Sequence, residues 1–197
     1  WDTLLARADN ELGPRQIKLL APRLLAHQAV AQEPVRSMLE SDEWHRAIED
    51  WKTYIARHPP RQGERHSGDS VTSDKEDAVE RAWQRVQAAD TPRNWHRLRI
   101  AIKELRYSLD EVPKAARNSG TVAALRRCKR LQSWLGDWHD TVVHLQLIQK
   151  LSLDFDPVKD QRVLQLIHRW SGRIERQGRD LLGRARKELQ AANSEKA

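Results

Sequence analysis

The chain has 197 residues, enough for one domain or two small halves, and 32% charged against 39% hydrophobic residues imply a modest core beneath a heavily charged surface. Its single cysteine, Cys128, excludes a disulfide framework and a zinc cage built mainly of thiolates, and no apolar run reaches the ~18 residues of a membrane span. The net charge of +7 is unevenly spread: residues 1–78 hold 11 Lys/Arg against 14 Asp/Glu, whereas residues 81–135 hold 13 against 4, and so local an excess points to a polyanion partner.

In chain order, residues 1–12 read as the end of a helix. Trp1 stands first and Met38 is the only methionine, so a segment upstream is expected; no secretory signal is visible. Helices are predicted over 14–32 and 34–56, the second beginning at Pro34. In the second, Met38, Trp44, Ile48, Trp51 and Ile55 recur at helical spacing and form one apolar face. Residues 58–74, rich in Pro, Gly, Ser and Thr, read as a linker. Beyond it a helix over 74–89 carries Val79, Ala82, Trp83 and Val86 on one side. Thr91 as N-cap and Pro92 in the first turn start the next, which runs to Val112 before Pro113. Two longer helices follow, over 122–151 with a bend at Gly136, and over 157–191 with Asp156 as cap. Residues 192–197 form a fraying tail.

No strand alternation is present, so the expected fold class is all-α, built as helical bundles. The expected organisation is a partial N-terminal helical half (1–57), a linker (58–74), a C-terminal four-helix half-bundle (75–191) and a tail (192–197). Trp44, Trp51, Trp83 and Trp134 fall where a bundle core wants them.

The segment from Trp95 to Leu109 carries the chemistry. At 100° per residue, His96, Arg99, Lys103 and Arg106 share an arc of about 80°, beside an apolar face of Leu98, Ile102, Leu105 and Leu109. No acid interleaves the stripe; Glu104 lies on another arc. Like charges at these spacings repel by a few tenths of a kcal/mol per pair, so the stripe calls for an external anion. On the next helix Arg126, Lys129 and Arg130 share a second basic arc of about 100°, and two such arcs converging on one groove would focus the field further. His139, Asp140 and His144 make a poor metal site, because positions i and i+5 do not share a helix face. Asp140 is expected to pair with an arginine.

The pattern His96-x-x-Arg99-x-x-x-Lys103-x-x-Arg106-Tyr107 resembles the motif of the CHAD domain, the conserved histidine α-helical domain. Leu131-Gln132-x-x-Leu135-Gly136-x-x-x-Asp140 looks like that family's next helix, in the expected order and at about the expected distance. The resemblance covers residues 79–190 best. Residues 1–56 look like the later part of the first half, with Gln16 where the family pattern has Asp. It implies a pair of four-helix bundles, here with the first half incomplete, and an upstream segment or partner chain to complete it. It also implies binding of inorganic polyphosphate, a cytoplasmic location at polyphosphate granules, and no catalysis by the domain itself.

Three function classes follow from these readings. The first is a polyphosphate-binding module using His96, Arg99, Lys103, Arg106, Arg126, Lys129 and Arg130, with no catalytic residue, metal, cofactor or membrane partner. The second is a nucleic-acid-binding helical protein, supported by charge alone, since the stripe has no Asn or Gln to read bases. The third is an accessory domain of an enzyme acting on phosphate chains; phosphoryl transfer uses a carboxylate-held metal, and the stripe offers no acid. Other polyanions remain possible ligands in all three.

Overall fold

The computed structural model describes residues 1–58 and 68–194, with side chains over 1–58 and 72–192. Residues 59–67, most of the expected linker, and the end of the tail lie outside the described residues. Within them the chain is all-α: α1 (Asp2–Glu11), α2 (Pro14–Glu40), α3 (Asp42–Arg57), α4 (Gly68–Ala88), α5 (Pro92–Glu111), a 3-10 turn at Lys114–Ala116, α6 (Ser119–Ser152) and α7 (Gln161–Ser194).

Two boundaries differ from expectation. The helix does not break at Pro34; α2 continues through both Pro22 and Pro34 and ends six residues later. A proline forfeits one backbone hydrogen bond in a helix interior, yet both prolines are exposed, where water satisfies the freed carbonyl. The break comes at Ser41, whose hydroxyl accepts the Trp44 N–H at 3.1 Å and caps α3. The last helix begins at Gln161 rather than at residue 157. Asp156 does act as a local cap, but of the turn before it: its carboxylate accepts the Val158 and Lys159 N–H groups at 2.8 and 3.0 Å. These bonds hold the Asp156 carboxyl below the usual carboxylate range.

The chain divides into two compact units, Trp1–Glu64 with His144–Ser171, and Arg65–Val143 with Gly172–Ala197. α6 and α7 each contribute residues to both units.

In the first unit Leu4, Ala8, Leu20, Leu24, Ile148, Leu151 and Trp170 are fully or nearly fully buried. A polar chain runs through it. His144 Nε2 lies 3.0 Å from Thr3 Oγ1, and Arg7 Nη1 lies 3.3 Å from His144 Nδ1. Arg7 also pairs with Glu11 at 2.7 Å, and Glu11 accepts the Trp170 indole N–H at 2.9 Å. His144 is thus one of two buried polar side chains among the described residues, held by this network as structure rather than as a ligand.

The tryptophans of α3 are not in a core. Trp51 is 61% exposed and Trp44 37%, and α3 buries no residue at all, although its apolar face is there. Periodicity shows that a helix has a face to bury, not that a neighbour is present to bury it.

The second unit has the core that the sequence predicted. Trp83 and Val86 from α4, Trp95, Leu98, Ile102, Leu105 and Leu109 from α5, Leu125, Cys128, Leu131, Leu135 and Trp138 from α6, and Leu181, Ala185 and Leu189 from α7 form one cluster, with Trp134 partly buried against it. Each fully buried Leu or Ile contributes roughly 1.5–3 kcal/mol relative to exposure. Burial pushes the Cys128 thiol up to about 11, so at neutral pH it is a small hydrophobe rather than a nucleophile.

Candidate functional site

The start of α5 is fixed from three directions. Thr91 Oγ1 accepts the Asn94 N–H at 3.3 Å, and Pro92 occupies the first turn. The Asn94 side chain donates to the Arg85 and Ala89 carbonyls, at 3.1 and 2.9 Å, closing the end of α4. The Trp95 indole N–H donates to Asp90 at 2.6 Å, and Arg186 of α7 donates to the same carboxylate at 2.7 Å. These two bonds hold the Asp90 carboxyl below its ordinary range, the Trp95 bond having the larger effect. With its first turn pinned and Leu98, Ile102, Leu105 and Leu109 buried, α5 has no freedom to rotate. Its basic stripe therefore falls along the seam with α6.

There the structure opens a groove of about 450 Å³. From α5 it is lined by Arg99 and Arg106, two turns apart. From α6 it is lined by Lys129, Gln132, Ser133, Gly136, Asp137 and Asp140, the i, i+3, i+4, i+7 pattern of one helix face. Both arginines are half-buried. Arg99 Nε, Arg106 Nε and Gln132 Oε1 are sealed from solvent without a hydrogen-bond partner among the described residues. A buried donor left unpaired costs about 1–3 kcal/mol, and native structures seldom carry several in one place without a reason. Gly136 leaves the groove floor open, since a Cβ there would meet no heavy atom within 4 Å.

The seven basic and histidine residues expected at the site are distributed as follows. Arg99, Arg106 and Lys129 share the groove. Lys103 is exposed on the neighbouring arc of α5, 5.6 Å from the centre of the Tyr107 ring, which also carries the Arg106 guanidinium at 4.6 Å. Arg130 turns to Glu188 of α7, which it shares with Arg127 at 3.6 Å. Arg126 is exposed and does not line the groove. The reason is rotational: one residue along a helix turns about 100°, so of an arc as wide as that from Lys129 to Arg130 only one edge meets the seam. Lys129 itself lies 3.8 Å from Asp110, a half-exposed pair worth little.

His96 does not line the groove. Its ring lies 5.2 Å from that of His139 on α6, tilted 40°. Burial, the Arg99 guanidinium and the His96 ring push His139 below the ordinary histidine range, and Asp140 opposes them. The expectation that Asp140 pairs with an arginine is not met. Among the described residues no ion pair holds it; it lines the groove and acts on His139. Among the described residues no three His, Cys, Asp or Glu side chains gather as a metal site.

Sequence reasoning missed four contributors: His139, Gln132, Ser133 and Asp137. For Gln132, Ser133 and Asp137 the signal was present in the spacing of 129, 132, 133, 136, 137 and 140 on α6, but charge alone was read there. The acid-free stripe of α5 therefore faces a wall that carries two carboxylates.

Arranged in this way, three permanent cations converge on a shallow channel where water is partly excluded and several polar atoms lack partners. Such a channel suits an anion with many oxygens, because guanidinium groups form paired bonds to phosphate or carboxylate oxygens and Lys adds a point charge.

No curated protein and no solved structure matches the chain. The family model of the CHAD domain matches residues 1–149, including the whole basic stripe of α5 and the groove-lining face of α6, and thus the chain belongs to the CHAD domain family.

Proposed function

We propose that this domain binds inorganic polyphosphate in the α5–α6 groove and serves as a targeting or scaffolding module at polyphosphate granules, without catalysing a reaction. The observation that carries this reading is the convergence of the half-buried arginines Arg99 and Arg106 with Lys129 on one groove. Phosphate oxygens can pair with the guanidinium groups of these arginines. A polymer with one charge per unit supplies oxygens along the whole length of the channel, and it needs no base-reading side chain. Family membership agrees with a phosphate-polymer ligand.

The runner-up is single-stranded nucleic acid, whose phosphates present similar oxygens. The groove, however, is lined by no aromatic side chain on which bases stack. Competition decides between them. Polyphosphate should displace a DNA single strand at equal charge and equal salt; displacement in the other direction overturns the reading.

Binding should weaken with salt. With three permanent cations in the groove and about 0.7 counterions released per neutralised charge, the log–log slope of affinity against salt should lie near −2. A flat response would place the ligand elsewhere.

A further inference from the structure

We infer that His139, packed against the His96 ring at the edge of the groove, takes up a proton when a polyanion occupies the groove. The inference rests on the polyphosphate reading above and deepens it to regulation by pH. The two rings come from different helices and are in contact at 5.2 Å. His96 lies one turn before Arg99, and His139 directly precedes Asp140 and lies three residues beyond Gly136, so the pair borders three lining residues of the groove.

The charged and titratable groups that act on the His139 ring are Arg99 and His96 from α5 and Asp140 from its own helix. On α7, Gly178 packs against Thr141 and Trp138 of this stretch of α6.

In the free protein the balance is unfavourable to a proton. Burial, Arg99 and His96 all disfavour the imidazolium, and Asp140 alone favours it. A phosphate chain beside Arg99 reverses the local potential. The obstacle becomes an attraction, and the proton that enters adds a charged donor at the rim. By linkage, whatever the ligand does for the proton the proton does for the ligand. Each tenfold gain in the proton affinity of His139 on binding appears as a tenfold gain in polyanion affinity at low pH. Arg and Lys do not titrate in this range and cannot supply the effect.

The test is calorimetric titration of the whole chain with long-chain polyphosphate, whose few ends keep the titration of terminal phosphates (near pH 6) negligible. Affinity is followed from pH 5.5 to 8, and proton uptake is read from two buffers of different ionisation heat. The expected result is on the order of tenfold tighter binding at pH 5.5 than at pH 8, with up to about one proton taken up per site. His139→Gln should flatten the pH profile. If the wild type binds but this variant keeps its profile and its proton uptake, the inference is overturned while the polyphosphate reading stands. If no binding occurs at any pH, both fall. The His139 ring resonances of the wild-type protein provide a readout that needs no variant. At pH 6.5 they should move toward the protonated position when polyphosphate is added, and an unmoved resonance in the bound protein overturns the inference.

Discussion

At the scale of single residues, an arginine does two things here that a lysine would not. Its stem packs into the seam, and its planar head keeps donors aligned where water is scarce. Replacing Arg99 and Arg106 with Gln should lower polyphosphate affinity by at least about tenfold per residue, the worth of one charged hydrogen bond at its lower bound. The same changes remove two unpaired buried donors, so the thermal midpoint should move by only a few degrees. Titration and thermal unfolding of the double variant check both halves, and unchanged affinity would remove the groove from the binding model. Gly136 offers a finer probe. Because a Cβ there meets nothing within 4 Å, Gly136→Ala should stabilise α6 by about 0.5–1 kcal/mol, the usual gain over Gly in a helix interior. Its methyl group would stand in the channel, and affinity should fall. Denaturant unfolding and a binding titration on the same protein separate the two effects; a rise in both would mean that the ligand keeps clear of Gly136.

At the scale of elements, the contrast between α3 and α5 is instructive. Both are amphipathic by sequence. The apolar side chains of α5 meet those of α4, α6 and α7 and are buried, whereas those of α3 remain exposed. How tightly α6 and α7 close is set by a small residue. A Cβ on Gly178 would come within 2.8 Å of Thr141 Oγ1, and Thr141 is itself buried and bonded to the Trp138 carbonyl at 2.6 Å. Gly178→Ala should therefore destabilise the fold by about 1–3 kcal/mol through overpacking, despite the better helix propensity of Ala. The opposite signs expected at Gly136 and Gly178, read by denaturant unfolding, distinguish an open channel from a closed seam. A stabilised Gly178→Ala variant would show that the seam gives way.

At the scale of the whole molecule, stability should depend on pH through His139. Its proton affinity is lowered in the folded state, so the unfolded chain binds the proton more readily. As pH falls through about 6.5, the unfolded state gains protons that the folded state refuses, and stability drops until the folded-state value is passed. Asp90 and Asp156 are lowered in the folded state as well; their contributions have the same sign but are lost only in the acid range, below this window. Urea unfolding at pH 7.5 and 5.5 should therefore show a larger loss for the wild type than for His139→Gln. Equal losses would mean that His139 is as easily protonated folded as unfolded. Among the described residues no helix is long and apolar enough to cross a membrane.

The all-α class, the core of the second unit, the cap at Thr91 and the cationic stripe with its apolar neighbour were all legible in the residues, because helical periodicity and capping are local and each residue's angle about its own axis follows from its position. Two motifs at the right spacing were enough to reveal the family. What the sequence left open depends on how one helix is rotated against another. That rotation brings Lys129 but not Arg130 to the groove, puts His139 rather than His144 against His96, and sets two carboxylates opposite the acid-free stripe. It also decides burial: Trp83 and Trp51 have equal claims to a core by spacing, and only the presence of a facing helix separates them. Side-chain angle about one axis is a property of the sequence; the contact it makes is a property of two axes, and that only the tertiary structure supplies.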